Sequence, residues 1–186
     1  ADPGNLVVFP DNHDMSRFFV QVGEDVDFLK MGVAYFLTTR GVPQLYYGTE
    51  ILMRHEGSEH GNIRADFPGG WAGDKVNAFT GEGLSDAQKD MQNYVAKIQN
   101  WRKNKTVIHN GKLMHFVPEE GTYTYFRYND DKAVMVILNK NSEAKSLQTD
   151  RFKEVVSGYK SGKEIISGES ISDISAITIP AKSAVI

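Results

Sequence analysis

Leu6 to Phe9 is an uninterrupted apolar run between Gly4 and Pro10, which predicts a short strand buried on both faces, as in a parallel sheet. A polar cluster follows at once. From Asp25 to Thr39 the period changes: Val26, Leu29, Val33, Phe36 and Leu37 recur at helical spacing, with Phe28, Met31 and Tyr35 filling a second face. Gly41-Val42-Pro43 ends this helix, and Gln44 to Tyr47 predicts another short strand closed by Gly48. The order strand, helix, strand implies a right-handed parallel crossover.

Ile51 to Leu84 holds seven glycines with neither helical period nor alternation, an excursion of the kind that carries function. A helix resumes at Ser85, where Ser85 and Gln88 have the spacing of a capping box. Met91, Tyr94, Val95, Ile98 and Trp101 then form one apolar stripe, and Arg102, Lys103 and Lys105 suit the negative end of the helix dipole. After Thr106 the period is two. Lys112 to Val117, Thr122 to Tyr128 and Ala133 to Asn139 predict antiparallel strands, the last two joined by the turn Asn129-Asp130-Asp131-Lys132. Phe152 to Val156, Lys163 to Ile166, Ala176 to Ile179 and Ser183 to Ile186 extend the pattern, so the C-terminal part is expected to be a small β-sandwich. The fold class is α/β followed by all-β, with a boundary near residues 102 to 106 dividing the chain into 1–103 and 104–186.

The 186 residues carry 21 Lys+Arg against 24 Asp+Glu, a net charge of −3. No run of like charge offers a footprint for nucleic acid or an anionic membrane, and neither partner is expected. The longest apolar stretches fall far below the roughly 18 residues of a membrane helix. Zero cysteines exclude a disulfide framework, a thiolate nucleophile and the usual structural zinc site. Ala1-Asp2-Pro3-Gly4 is neither an initiator Met nor the start of a secretory signal, and the expectation is that the chain begins inside a larger protein.

Three segments could carry chemistry. Phe9-Pro10-Asp11-Asn12-His13-Asp14-Met15-Ser16-Arg17 follows a buried parallel strand, where barrels and open α/β sheets place catalytic groups. His13 and Asp14 form a hydrogen-bonding pair near the cation Arg17, although a solvated turn with an N-capping Asp reads equally well. Gly41 to Glu50 is a strand running into a loop. Gly61-Asn62-Ile63-Arg64-Ala65-Asp66-Phe67-Pro68-Gly69-Gly70-Trp71 combines charged hydrogen-bonding groups with aromatics, a set suited to sugars. His55-Glu56-Gly57-Ser58-Glu59-His60 has the wrong spacing for a helical zinc pair, and no metal site is assigned.

In this order, F-x-x-N-H-D, G-V-P-Q-L-Y-Y-G-T-E, the helix from Ser85 to Arg102 and the closing phrase Ile179-Pro180-Ala181-Lys182-Ser183-Ala184-Val185 resemble the α-amylase family of glycoside hydrolases, glycoside hydrolase family 13. The loop I-R-A-D-F-P-G-G-W and the phrase N-H-D-M-S-R look closest to neopullulanases and cyclomaltodextrinases of Bacteroides-like starch-utilisation systems. The resemblance implies the last two βα units of a TIM (β/α)8 barrel, strands seven and eight, followed by the family's C-terminal antiparallel β-sandwich.

Carried over by residue, Asp14 matches the carboxylate that grips two hydroxyls of the sugar at the cleavage point, and His13 the histidine bonding the same sugar. Asn12 matches a position that supports the loop, while Arg17, Arg64 and Asp66 are expected to line the leaving-group side. The nucleophile and acid follow earlier barrel strands in the family, so the resemblance implies that this chain alone is inactive and needs the remainder of the barrel as its partner. The substrates implied are α-glucan oligosaccharides: starch, maltooligosaccharides, pullulan or cyclodextrins. No cofactor is expected in this chain; calcium is left to the missing part of the parent, and a homodimer stays open. Residues alone give no localisation, and the resemblance implies a periplasmic or secreted enzyme. The rival reading is a non-catalytic module, either completing another barrel or binding glucan on Tyr123, Tyr125, Phe126 and Tyr128.

Overall fold

The computed structural model of the chain describes residues 2–55, 57 and 59–186. A two-residue strand β1 (Val7–Val8) pairs in parallel with β2 (Val42–Pro43). Between them lie a single helical turn, α1 (Phe18–Gln21), and the longer α2 (Val26–Thr38). Asp25 caps α2, its Oδ1 accepting from Asp27 N and Phe28 N at 3.0 and 3.1 Å, as an N-cap aspartate does.

Two expectations change here. The second strand is Val42–Pro43 rather than Gln44 to Tyr47. Val42 N donates to Leu6 O at 2.8 Å and Gln44 N to Val8 O at 2.9 Å, so the ladder straddles Pro43, which has no N–H to give. The chain then turns away at Gly48, whose φ is 89°. Nor is the first strand buried on both faces: Leu6, Val7 and Phe9 are exposed. An apolar run is buried only where neighbours cover it, and among the described residues β1 has one strand partner, β2.

A 3-10 turn at Thr49–Ile51 and the short α3 (His60–Ile63) interrupt the glycine-rich excursion. Then α4 (Asp86–Arg102) begins at the capping box, with Ser85 Oγ accepting from Gln88 N at 3.3 Å and Gln88 Oε1 from Ser85 N at 3.0 Å. Its buried stripe of Met91, Val95 and Ile98 meets Leu29, Val33 and Leu37 of α2 in the main core. Each such side chain contributes roughly 1.5–3 kcal/mol on burial.

After α5 (Thr106–His109), antiparallel pairing takes over. Strands β3 (Lys112–His115), β4 (Thr122–Tyr128), β5 (Ala133–Asn139) and β10 (Ser183–Val185) form one sheet in the order β10-β5-β4-β3. Strand β6 (Lys145–Gln148) pairs with β9 (Ala176–Ile179), and β7 (Gly162–Lys163) with β8 (Ser170–Ile171). Alternation sorts the large sheet's side chains. Tyr125 and Val136 join the α2–α4 core, whereas Ile137 packs with Ile177 and Ile179 of β9.

Phe152 to Val156 is not extended. It forms a 3-10 turn and α6 (Lys153–Val156), because the buried Phe152 ring is drawn onto Phe116 and Phe126, with centroids 4.7 and 5.7 Å away.

The large sheet grips the C-terminus of α2. Arg127, almost fully buried, donates to Thr39 O at 2.7 Å and Gly111 O at 2.8 Å, placing a cation at the helix's negative end. Beside it the Tyr125 hydroxyl lies 2.6 Å from Thr38 Oγ1. Asn139, fully buried, donates from Nδ2 to Glu143 O and Pro180 O, each at 2.9 Å, which holds the closing phrase against β5.

Candidate functional site

The site is built on the loop leaving β1. Asp11 is fully buried and its Oδ2 accepts from Phe18 N at 2.7 Å, closing residues 12–17 into a loop at the start of α1. Burial raises the Asp11 pKa against the pull of that N–H and of the Arg17 charge. Asn12 Oδ1 accepts from Asp14 N at 2.8 Å and Asn12 O from Met15 N at 3.3 Å, a turn stabilised by an Asx side chain. That turn presents His13 and Asp14 outward.

Arg17 runs the other way, and the expectation that it lines the leaving-group side is corrected. It is fully buried, with Nε and Nη2 donating to Ile63 O at 3.0 and 2.7 Å and Nη1 donating to Tyr47 O. Its guanidinium also stacks on Tyr46 and Tyr47, 4.5 and 4.9 Å from the ring centres. These carbonyls and rings consume the cation inside the protein. Gly48 makes room: a Cβ there would stand 2.9 Å from Nη1 of Arg17. Arg17 thus ties the Asn12 to Asp14 loop to Tyr47 and to the end of α3.

That tie brings Arg64 and His60 to Asp14. Arg64 Nη2 lies 2.6 Å from Asp14 Oδ1, and Arg64 Nε donates to His13 O at 3.1 Å. His60 Nδ1 lies 3.2 Å from Asp14 Oδ1, and His13 Nε2 lies 3.2 Å from Asp14 Oδ2. The Arg64 hydrogen bond, supported by His13 and His60, holds the Asp14 carboxyl below the usual carboxylate range. With 54% of its side chain accessible, Asp14 is a charged acceptor open to a ligand with hydroxyl donors.

Asp66 is exposed and is not drawn into this cluster. The following loop is fixed by Asp74 Oδ2, which accepts from Gly69 N at 2.7 Å and Trp71 N at 3.2 Å. Gly69 has φ 99° and a Cβ there would stand 2.8 Å from Asn77 Cα, so only glycine fits. Trp71 and Phe79 are left 68% and 72% exposed.

The sequence reading missed His60 as a partner of Asp14. His60 closes the hexapeptide His55 to His60, four residues before Arg64. Glu56 and Ser58 of that hexapeptide lie outside the described residues. Among the described residues no group of three or more His, Cys, Asp or Glu could hold a metal ion, and no helix is long and apolar enough to cross a membrane. The aromatic platform is not formed: Tyr125 and Phe126 are fully buried, and as neighbours on one strand they face opposite sides of the sheet.

The chain is 30% identical over 172 residues to an α-amylase of Niallia circulans, covering 88% of this chain and 29% of that protein. It is 28% identical over 154 residues to a cyclomaltodextrin glucanotransferase of Geobacillus stearothermophilus, covering 82% of this chain and 19% of the relative. The chain therefore spans less than a third of these curated relatives. Among solved structures, an α-amylase from Geobacillus thermoleovorans in complex with acarbose superposes with TM-score 0.74 at 22% identity, over 98% of this chain and 38% of that one. The H. orenii α-amylase gives TM-score 0.71 at 24% identity, over 96% and 38%. These structures share the fold. The family described as the cyclo-malto-dextrinase C-terminal domain matches residues 113–186, and over those residues the chain is similar to that domain.

Proposed function

We propose that this chain is the C-terminal part of a retaining glycoside hydrolase of neopullulanase or α-amylase type, acting on α-glucans. In this reading β1 and β2 are the seventh and eighth strands of a (β/α)8 barrel, residues 1–103 complete the catalytic domain, and 104–186 form the β-sandwich behind it. The observation that carries the reading is Asp14: an open carboxylate, kept ionised by Arg64, on the loop leaving a parallel strand. The α-amylase and glucanotransferase relatives support the substrate class.

Retaining hydrolysis needs a nucleophilic carboxylate and a carboxylic acid about 5 Å apart. Both come from the rest of the barrel in this reading, and Asp14 is the third carboxylate. Its oxygens accept from two hydroxyls of the sugar at the cleavage point. Those bonds strengthen as the ring flattens toward the oxocarbenium ion, and the negative charge of Asp14 raises the pKa of the general acid and keeps it protonated. His13 bonds the same sugar. Asn12 holds the turn, Arg64 occupies Asp14 until hydroxyls replace it, and Asp66 stands on the leaving-group side. Arg17 acts by joining the loops.

The test is hydrolysis of maltooligosaccharides, pullulan and cyclodextrins by the full-length protein and by the 186-residue chain. Turnover by the full-length protein alone is expected. Turnover by the repurified chain, or none by the full-length protein, overturns the reading.

A further inference from the structure

A pocket of about 300 Å³ opens between the large sheet and the β7–β8 hairpin, and none of its lining residues belongs to the Asp14 site. Phe126, Met135 and Ile177 line it from the sheets, Trp101 from the end of α4 and Ile171 from β8. Phe126 and Ile177 are themselves buried. Protein interiors are close-packed, and a hollow walled by carbon offers water no partners. Its volume falls at the lower end of pockets that hold small ligands.

The lining also carries cations. Lys105, Lys132 and Lys163 also line the pocket, Lys132 and Lys163 are exposed, and none of the three has an ion-pair partner among the described residues. The one side-chain carboxylate on the lining, Glu164, is engaged by backbone N–H donors. Its Oε1 accepts from Ile166 N at 3.0 Å and Ile186 N at 3.3 Å, and its Oε2 accepts from Ser167 N. A carbon-lined interior under unneutralised ammonium groups is complementary to an amphiphile with an acidic head.

We infer that this pocket binds a medium-chain carboxylate of the fatty-acid class. The acyl chain lies against Phe126, Met135 and Ile177, and the carboxylate meets Lys132 and Lys163. The site goes beyond the glucan reading and does not depend on it.

Calorimetric titration of the full-length protein with decanoate and with decanol, both below their aggregation limits, tests this. Decanoate is expected to bind about tenfold more tightly than decanol, the worth of one charge-assisted contact. That advantage is expected to fade as salt rises to about 1 M and screens the ammonium groups. The double variant Lys132→Glu/Lys163→Glu changes only exposed side chains, and it is expected to lose the advantage while binding decanol as before. Ile171→Trp, which fills the pocket, is expected to weaken both ligands. No saturable binding of decanoate, as when a second copy or the protein's own chain fills the pocket, overturns the proposal. So does wild-type affinity for decanoate in either variant.

Discussion

Lys182 places its ammonium 2.8 Å from the Asp25 carboxylate, across 157 positions of sequence. Asp25 caps the N-terminus of α2, and Arg127 binds the carbonyls at the other end of the same helix. The helix between the parallel strands is thus held at both ends by the antiparallel segment, and the two parts of the chain share one core.

The charges make the Lys182 contact pH-dependent. Its hydrogen bond lowers the Asp25 pKa and raises that of Lys182. A lowered carboxyl contributes stability above its unfolded value, about 4, and loses it as pH falls through the folded one; a raised lysine contributes below about 10.4 and loses it on further alkalinisation. Lys182→Met is therefore expected to lower the Tm by a similar amount between about pH 5 and 9. The gap is expected to shrink as pH falls below about 4 toward the lowered pKa of folded Asp25. A gap unchanged down to about pH 2 would show that the lysine acts through packing rather than charge.

Arg127→Met leaves the carbonyls of Thr39 and Gly111 without their buried donor. A loss of about 2–4 kcal/mol is expected in denaturant unfolding. Arg127→Lys is expected to recover little, because one ammonium lacks the planar fork that reaches both oxygens. Full recovery by lysine would mean that charge alone matters there.

Asn139→Leu removes the amide that bonds Glu143 O and Pro180 O and leaves these part-buried contacts without their donor. A loss of about 2–3 kcal/mol is expected, with the closing Pro180 to Val185 segment losing amide-exchange protection first. Uniform loss across the chain would show that the segment is not held by this contact.

The parts of the fold that were legible in the sequence are those fixed by neighbours in the chain. Ser85 and Gln88 cap each other over three residues, and the stripe from Met91 to Ile98 needs only one helix face. The period-two runs from Thr122 to Tyr128 and Ala133 to Asn139 likewise emerged with their full lengths. What was not legible depended on distant partners. Phe152 turns into a helical segment because Phe116 and Phe126 receive its ring. Arg17 faces inward because acceptors 30 and 46 residues away surround it. In the site, N-H-D marked the exposed loop, but nothing local marked His60 or the buried anchor Asp11.

Arg64 is the main cause of the lowered Asp14 pKa. Arg64→Met in the full-length protein is expected to raise that pKa. In the proposed reading activity requires the ionised form, so the acid limb of kcat/KM should move to higher pH with the Tm unchanged. An unmoved acid limb would mean that another group sets it.

The most direct measurement is kcat/KM of the full-length protein and its Asp14→Asn variant on maltooligosaccharides, with the Tm of each. Asparagine keeps the shape of Asp14 and loses its charge. Hydrogen bonds to a charged group are worth about 1.5–3 kcal/mol each. Two of them lost at the transition state, about 4 kcal/mol, correspond to nearly a thousandfold in rate. The expected result is a fall of about that size at an unchanged Tm. Retention of more than about a tenth of the wild-type kcat/KM, a loss of under 1.4 kcal/mol, at the same Tm would contradict the reading and leave Asp14 an ordinary loop residue.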